Sequence, residues 1–183
     1  MNNYKLTRSP FSTDIAAMAV QMPPAFSGQK LRGHLTHPSF RKRWRYCDVD
    51  LSRVVSVEHP GHAGSTWGTL LGVTGSGSPL RNVRDAIWEL EREPRYYLQR
   101  KRKKGWFFYE VEGDYYLECG LHRTVVGRYF LELNGLPPIV HRIGVMSLTA
   151  QEWVTGQQQA LERERGYGLL WDEMEESEGE VPR

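Results

Sequence analysis

The strongest constraint on the fold is a β-hairpin signal in the second half of the chain. Residues 106–112 and 115–119 are rich in aromatic residues and flank the dipeptide Gly113-Asp114. A glycine in the first turn position permits a type II′ turn, whose twist matches that of two antiparallel strands. We therefore expect a sheet built around this hairpin, with Gly120 ending its second strand.

Helices are predicted on both sides of the hairpin. Ser78 is a plausible N-cap, followed by a proline at the first helical position, and Pro94 ends the helix. After the hairpin, apolar residues at helical spacing predict a second helix over residues 123–134. Thr149 and Glu152 form a capping box that starts a third helix, expected to run to about residue 165.

Further strands are expected over residues 47–57 and 139–145, where apolar and β-branched residues recur. The order strand, helix, hairpin, helix, strand, helix indicates a compact α+β domain over residues 47–146. Residues 1–46 read as a basic, Pro- and Gly-rich, irregular arm. Residues 147–183 read as a C-terminal helix followed by an acidic tail, which is expected to fray from Trp171 onward.

The two halves of the chain carry opposite charge. Residues 1–105 contain 18 Lys and Arg against 8 Asp and Glu, whereas residues 106–183 contain 6 against 14. This asymmetry suggests a surface that faces a polyanion, although two solvated faces that neutralise each other would give the same composition.

Two basic runs are candidate DNA contacts, and the alternative for both is a solvated basic face. Trp44 or Tyr46 would stack on unpaired bases while the cations contact phosphates. The predicted DNA-binding residues are Arg41, Lys42, Arg43, Trp44 and Arg45 in the first run, and Arg100, Lys101, Arg102, Lys103 and Lys104 in the second, exposed run.

Several other classes of protein are not indicated. The sequence has no apolar run of the length that a bilayer requires and no secretion signal, so we expect a cytoplasmic protein without membrane insertion. Two cysteines do not indicate a disulfide scaffold. The glycine-rich residues 72–78 lack the Gly-Lys-Ser/Thr ending of a Walker phosphate loop.

The segment with the most chemical content begins where the hairpin ends. A strand passes through Gly120 into a helix whose first backbone N–H groups have no intrahelical partner, and such an end binds anions. His122, Arg123 and Thr124 add side-chain donors there. Arg123 would clamp phosphate bidentately, His122 would be a second donor or general acid, and Glu118 would hold Mg²⁺ or orient water. The alternative is an ordinary capped helix start.

The sequence Gly120-Leu121-His122-Arg123 resembles the Gly-x-His-Arg signature of the ParB/sulfiredoxin superfamily, and the resemblance extends over roughly residues 48–145. It implies a ParB/sulfiredoxin-like domain that binds a nucleotide or DNA phosphate. The phosphate-binding residues implied are Gly120, His122, Arg123 and Thr124. It also implies ATP, or another NTP, and Mg²⁺ as cofactors.

Differences from the signature reduce the number of superfamily members that the chain resembles. Leu121 stands where sulfiredoxins have their reactive cysteine, and the Gly-Glu-Arg-Arg of partition proteins is absent. The chain is most similar to the stand-alone fertility-inhibition proteins of conjugative plasmids, of the oncogenic-suppression type. That similarity implies an ATPase and DNase that attacks DNA during transfer, with DNA and conjugation or type IV secretion components as partners.

Two non-enzymatic functions remain as alternatives. One is a DNA- or protein-binding regulatory module with a vestigial phosphate pocket, which would bind DNA in a salt-dependent way without turnover. The other is an antitoxin-like regulatory protein without affinity for nucleotides.

Overall fold

The structure is a computed structural model that describes residues 11–14, 28–33, 44–57, 60–72 and 83–177, with side-chain surroundings as far as residue 163. The strands of this part of the chain are β1 (Arg32–Gly33), β2 (Arg45–Asp50), β3 (Val54–Val57), β4 (Phe107–Val111), β5 (Asp114–Cys119) and β6 (Ile139–Leu148). The helices are α1 (Trp67–Leu71), α2 (Val83–Arg92), α3 (Leu121–Leu133) and α4 (Ala150–Ser177).

These elements confirm the predicted α+β fold. The six described strands form one mixed sheet in the order β1-β3-β5-β4-β6-β2. Residues of α1, α2 and α3 pack in the main hydrophobic core, which covers one face of the sheet. A smaller aromatic cluster, with Trp153 of α4, covers the other face. None of the described helices combines the length and apolar character that crossing a bilayer requires.

The hairpin is confirmed, but its turn lies one residue earlier than predicted. Val111 pairs with Asp114, so the turn residues are Glu112 and Gly113. Both have positive φ, 52° and 87° respectively, which corresponds to a type I′ turn. The glycine therefore occupies the second turn position. Glu112 occupies the first, where its positive φ is unfavourable for a residue with a side chain.

The prediction of one strand over residues 47–57 is wrong. Strand β2 pairs with β6 at one edge of the sheet, whereas β3 lies between β1 and β5. They are separated by a 3₁₀ helix, Leu51–Arg53, which the Asp50 carboxylate caps by accepting from the Ser52 N–H at 2.9 Å and the Ser52 hydroxyl at 2.6 Å. Such a local side-chain bond competes with strand geometry.

Helix α3 begins at Leu121, two residues earlier than predicted, because Gly120 serves as its N-cap and accepts the Thr124 N–H at 2.9 Å. Helix α2 ends at Arg92, before Pro94 as expected. Its predicted start at Ser78 lies outside the described residues.

The capping box of α4 is confirmed. Glu152 accepts from the Thr149 N–H at 2.7 Å, and the Thr149 hydroxyl accepts from the Glu152 N–H at 3.2 Å. The helix continues to Ser177 and not to residue 165. No proline interrupts residues 150–177, and Leu, Glu and Met there favour the helix despite three glycines.

Part of the predicted N-terminal arm belongs to the sheet and core. Arg32 of β1 pairs with Ser56 of β3, and Leu31 is only 2% exposed. Buried Arg128 of α3 donates to the Gln29 side chain at 3.1 Å and holds this segment in place. The described residues 28–33 and 44–46 are therefore integral to the domain.

Candidate functional site

The start of α3 is held in place by a buried tryptophan. Trp106 is fully buried and its Nε1–H donates to the Thr124 hydroxyl oxygen at 2.9 Å. That hydroxyl in turn donates to the Gly120 carbonyl at 3.0 Å. Thr124 is 0% exposed and its hydroxyl bonds internally, so it packs and caps the helix start, and we do not carry it into the proposed phosphate site.

Gly120 meets two requirements at this junction. Its φ is +101°, a conformation that side chains disfavour. In addition, a Cβ at this position would lie 2.5 Å from Cδ1 of Trp106. A glycine is therefore needed to bring strand β5 into α3 directly over the tryptophan.

Three backbone donors open α3. The first intrahelical bond is from Thr124 N–H to Gly120, so the N–H groups of Leu121, His122 and Arg123 precede the helical ladder. The helix dipole is positive at the same end. The helix start expected after Gly120 is therefore present, and anion binding by its first N–H groups stays a prediction.

The guanidinium of Arg123 is anchored by the backbone of a neighbouring loop. Its Nη1 donates to the Lys104 carbonyl at 2.8 Å and to the Tyr96 hydroxyl at 3.4 Å, and its Nη2 donates to the Gly105 carbonyl. Since arginine has five N–H donors, two remain, one on Nε and one on Nη2. The described residues supply no acceptor for these two, and they suit bidentate binding of one anion.

A groove of about 360 Å³ lies beside the anchored arginine. It is lined by Arg123, His122 and Tyr96 and by Asp85 and Glu89 of α2. Sequence reasoning missed the two carboxylates. Their spacing of four residues places them on one face of a helix and was the available signal.

The pKa of His122 is lowered from its usual value near 6.5. Burial is the main cause, the charges of His62 and Arg123 act in the same direction, and Asp85 opposes them. A neutral imidazole at pH 7 accepts a proton, so His122 suits a general base better than the predicted general acid.

Glu118 does not share this groove. It borders a separate hollow of about 280 Å³, together with Gly120 and His122. Strand alternation assigns its side chain to the sheet face opposite Leu117, which packs in the main core. Among the described residues no group of three or more acidic, histidine or cysteine side chains is placed to hold a metal ion.

The predicted DNA-binding residues fall into different environments. Arg41, Lys42 and Arg43 lie outside the described residues. The ring of Trp44 packs 5.1 Å from that of Phe107, in the cluster beneath α4. Arg45 is exposed and donates to the Ser147 hydroxyl at 2.7 Å.

The second basic run is exposed except at one position. Arg100, Lys101, Arg102 and Lys104 are exposed. Lys103 is 3% exposed, so the prediction of an exposed run is wrong at this residue, whose ammonium is turned inward to backbone carbonyls.

Comparisons with protein-family models, with curated proteins and with solved structures give no match. The resemblance to the ParB/sulfiredoxin superfamily therefore rests on the motif residues and stays a prediction.

Proposed function

We propose that the groove at the start of α3 binds a phosphate group of a nucleotide or of DNA, and that the protein hydrolyses phosphoanhydride or phosphodiester bonds. The observation that carries this proposal is the anchored Arg123. Its end is fixed by the carbonyls of Lys104 and Gly105, which leaves donors on Nε and Nη2, and Arg123 lines the groove together with His122 from the same first turn of α3.

The groove supplies the groups that hydrolysis needs. Arg123 and the helix N-terminus would neutralise the non-bridging phosphate oxygens. Neutral His122 would take a proton from water as the water oxygen bonds to phosphorus and the bond to the leaving oxygen breaks.

Asp85 and Glu89 are two carboxylates of α2 that line the groove, and Mg²⁺ in phosphoryl-transfer sites is often held by one or two carboxylates plus the substrate phosphate. When bound there, Mg²⁺ would add positive charge to stabilise the transition state. These residues replace Glu118 as the proposed metal ligands.

The resemblance of Gly120-Leu121-His122-Arg123 to the superfamily signature supports a more specific function. On that basis we assign the protein ATPase and DNase activity directed at DNA during conjugative transfer, with inhibition of transfer as the outcome.

A second candidate function is a DNA-binding regulatory module without turnover. It is favoured by the exposed cations of the second basic run, which can bind phosphates without any catalytic group: Arg100, Lys101, Arg102 and Lys104.

Hydrolysis assays separate these functions. Purified protein is incubated with Mg²⁺ and ATP, and with Mg²⁺ and DNA, and is compared with Arg123→Lys and His122→Gln. Arg123→Lys keeps the charge but loses the planar pair of donors. Arg95→Lys, at an exposed arginine before the 3₁₀ helix Tyr96–Leu98, is the matched control.

We expect turnover to fall about 100-fold or more in His122→Gln, the range for a general base. It should also fall in Arg123→Lys and be unchanged in the control. Turnover that is equal in all proteins would refute the site. Absence of turnover in the wild type, together with DNA binding that weakens with salt, would establish the binding module instead.

A further inference from the structure

Residues 99–105 form a loop, called here the basic loop, that is fixed from inside by two cations. Buried Lys103 donates from Nζ to the Gln99 carbonyl at 2.7 Å and to the His141 carbonyl at 3.4 Å. Arg123 holds the end of the loop through the Lys104 and Gly105 carbonyls. The loop therefore has a defined conformation although it contains no helix or strand.

Burying the ammonium group of Lys103 is unfavourable, and the pKa of this group reflects it. Burial lowers the pKa of Lys103, and the charges of Asp48 and Glu93 oppose that effect only in part. An exposed lysine at this position would leave the loop carbonyls to water. The buried position instead lets the ammonium group satisfy these carbonyls from inside the protein.

The fixed loop presents cations beside an aromatic ring. Its exposed charges are Arg100, Lys101, Arg102 and Lys104. The guanidinium carbon of Arg102 lies 4.1 Å from the ring centroid of Tyr46. A guanidinium backed by a ring in this way offers its outer side for stacking of a nucleobase.

One carboxylate near the basic loop, Asp48, has its hydrogen-bond partner outside the loop. Asp48 pairs with His141 at 2.9 Å. Burial opposes ionisation of Asp48, but the hydrogen bond and charge of His141, a bond from the Arg142 backbone and the charge of Arg100 outweigh it and lower the pKa. Arg142 is itself exposed and lies at a bulge in β6, with φ of +59°.

The basic loop also ends at the proposed phosphate site. Residue 102 is three residues from Gly105, so the two Cα atoms are at most about 11 Å apart. Arg123 contacts the loop at Lys104, with 2.8 Å between Nη1 and the carbonyl oxygen. A nucleic-acid strand with one base stacked on Arg102 therefore passes within a few nucleotides of the start of α3.

We infer that the basic loop and Tyr46 form a binding track for single-stranded DNA, which leads one of its phosphates to Arg123. The delivery of a phosphate rests on the proposed function, whereas the track itself does not. The bases of a duplex are stacked on each other, so only an unpaired base can stack on the guanidinium of Arg102. The lysines and arginines around it bind the phosphates of that strand.

The test measures binding in EDTA, without turnover. Fluorescence anisotropy compares a labelled oligo-dT with a duplex of the same length and with oligo-rU, over a series of salt concentrations. Arg102→Lys keeps the charge and removes the stacking plane, Arg102→Ala removes both, and Arg95→Ala is the exposed control.

We expect the wild type to prefer oligo-dT to the duplex. Arg102→Ala should weaken binding of oligo-dT about 5- to 150-fold, the range for loss of one stacked base. Arg102→Lys should lose most of that affinity while its salt dependence stays close to that of the wild type. Arg95→Ala should bind as the wild type does.

Equal affinity for oligo-dT and duplex, tighter binding of oligo-rU, or an Arg102→Lys variant that binds like the wild type would each overturn the track. Hydrolysis of nucleotides without preference for single strands would refute the track and leave the proposed function standing. A preference for single strands that depends on Arg102, in a protein without turnover, would support the track and refute the proposed function.

Discussion

Replacing Gly120 by alanine tests how the start of α3 is built. The added methyl group would enter a backbone with φ of +101° and lie 2.5 Å from Trp106, which is 0% exposed and cannot move into solvent. The left-handed conformation costs about 1–2 kcal/mol for a residue with a side chain. Overpacking against a buried ring adds about 1–3 kcal/mol.

Gly120→Ala should therefore lose about 2–5 kcal/mol of unfolding free energy, measured by urea denaturation. For a chain of this size, that corresponds to a fall in Tm of roughly 5–20 °C. Gly135→Ala is the matched control, because Gly135 has φ of +65° with no heavy atom within 4 Å of the added Cβ. It should lose only the strain of about 1–2 kcal/mol. Equal destabilisation of the two variants would refute the contact with Trp106.

Three further predictions concern the turn, the groove and the loop. Glu112→Asn should stabilise the protein by about 0.5–1 kcal/mol in urea denaturation, because asparagine tolerates the left-handed first position of a type I′ turn; no gain would contradict that turn type. Sulfate binding, measured by the shift of Tm that sulfate causes, should become tighter as pH falls below 6.5, because His122 gains a positive charge as pH passes its lowered pKa. His122→Gln should abolish this pH dependence; a dependence retained in that variant would exclude His122 as its source. Lys103→Met should lose about 1–3 kcal/mol and speed hydrogen exchange over residues 99–104, since the carbonyls there lose a charged donor; unchanged exchange would show that the ammonium does not hold the loop.

The parts of the fold that depend on neighbours in sequence were predictable. The hairpin, the capping box of Thr149 and Glu152, and the glycine before α3 are each specified within a few residues. The break after Asp50 was missed, although Asp50 and Ser52 carry a local capping signal. What no local pattern reveals is that β2 and β3, adjacent in sequence, pair with different partners in the sheet.

The candidate site shows the same division. Gly120, His122 and Arg123 lie together because one junction carries them, so sequence reasoning found them. Asp85 and Glu89 reach the groove through packing of α2 beside α3, which depends on the tertiary fold. The inward turn of Lys103 depends on a carbonyl at His141, 38 residues away in sequence, so a run of basic residues gives no sign of it.

The order of the strands has a geometric consequence. Strands β2 and β3 lie four places apart in the sheet, which in a flat sheet would separate them by about 19 Å. Only residues 51–53 join them, and the chain from Asp50 to Val54 can span at most about 14 Å. The sheet must therefore curve toward a half-closed barrel, because this short link keeps β2 and β3 close together. Lengthening the link would remove the limit on how far the two ends of the sheet can spread.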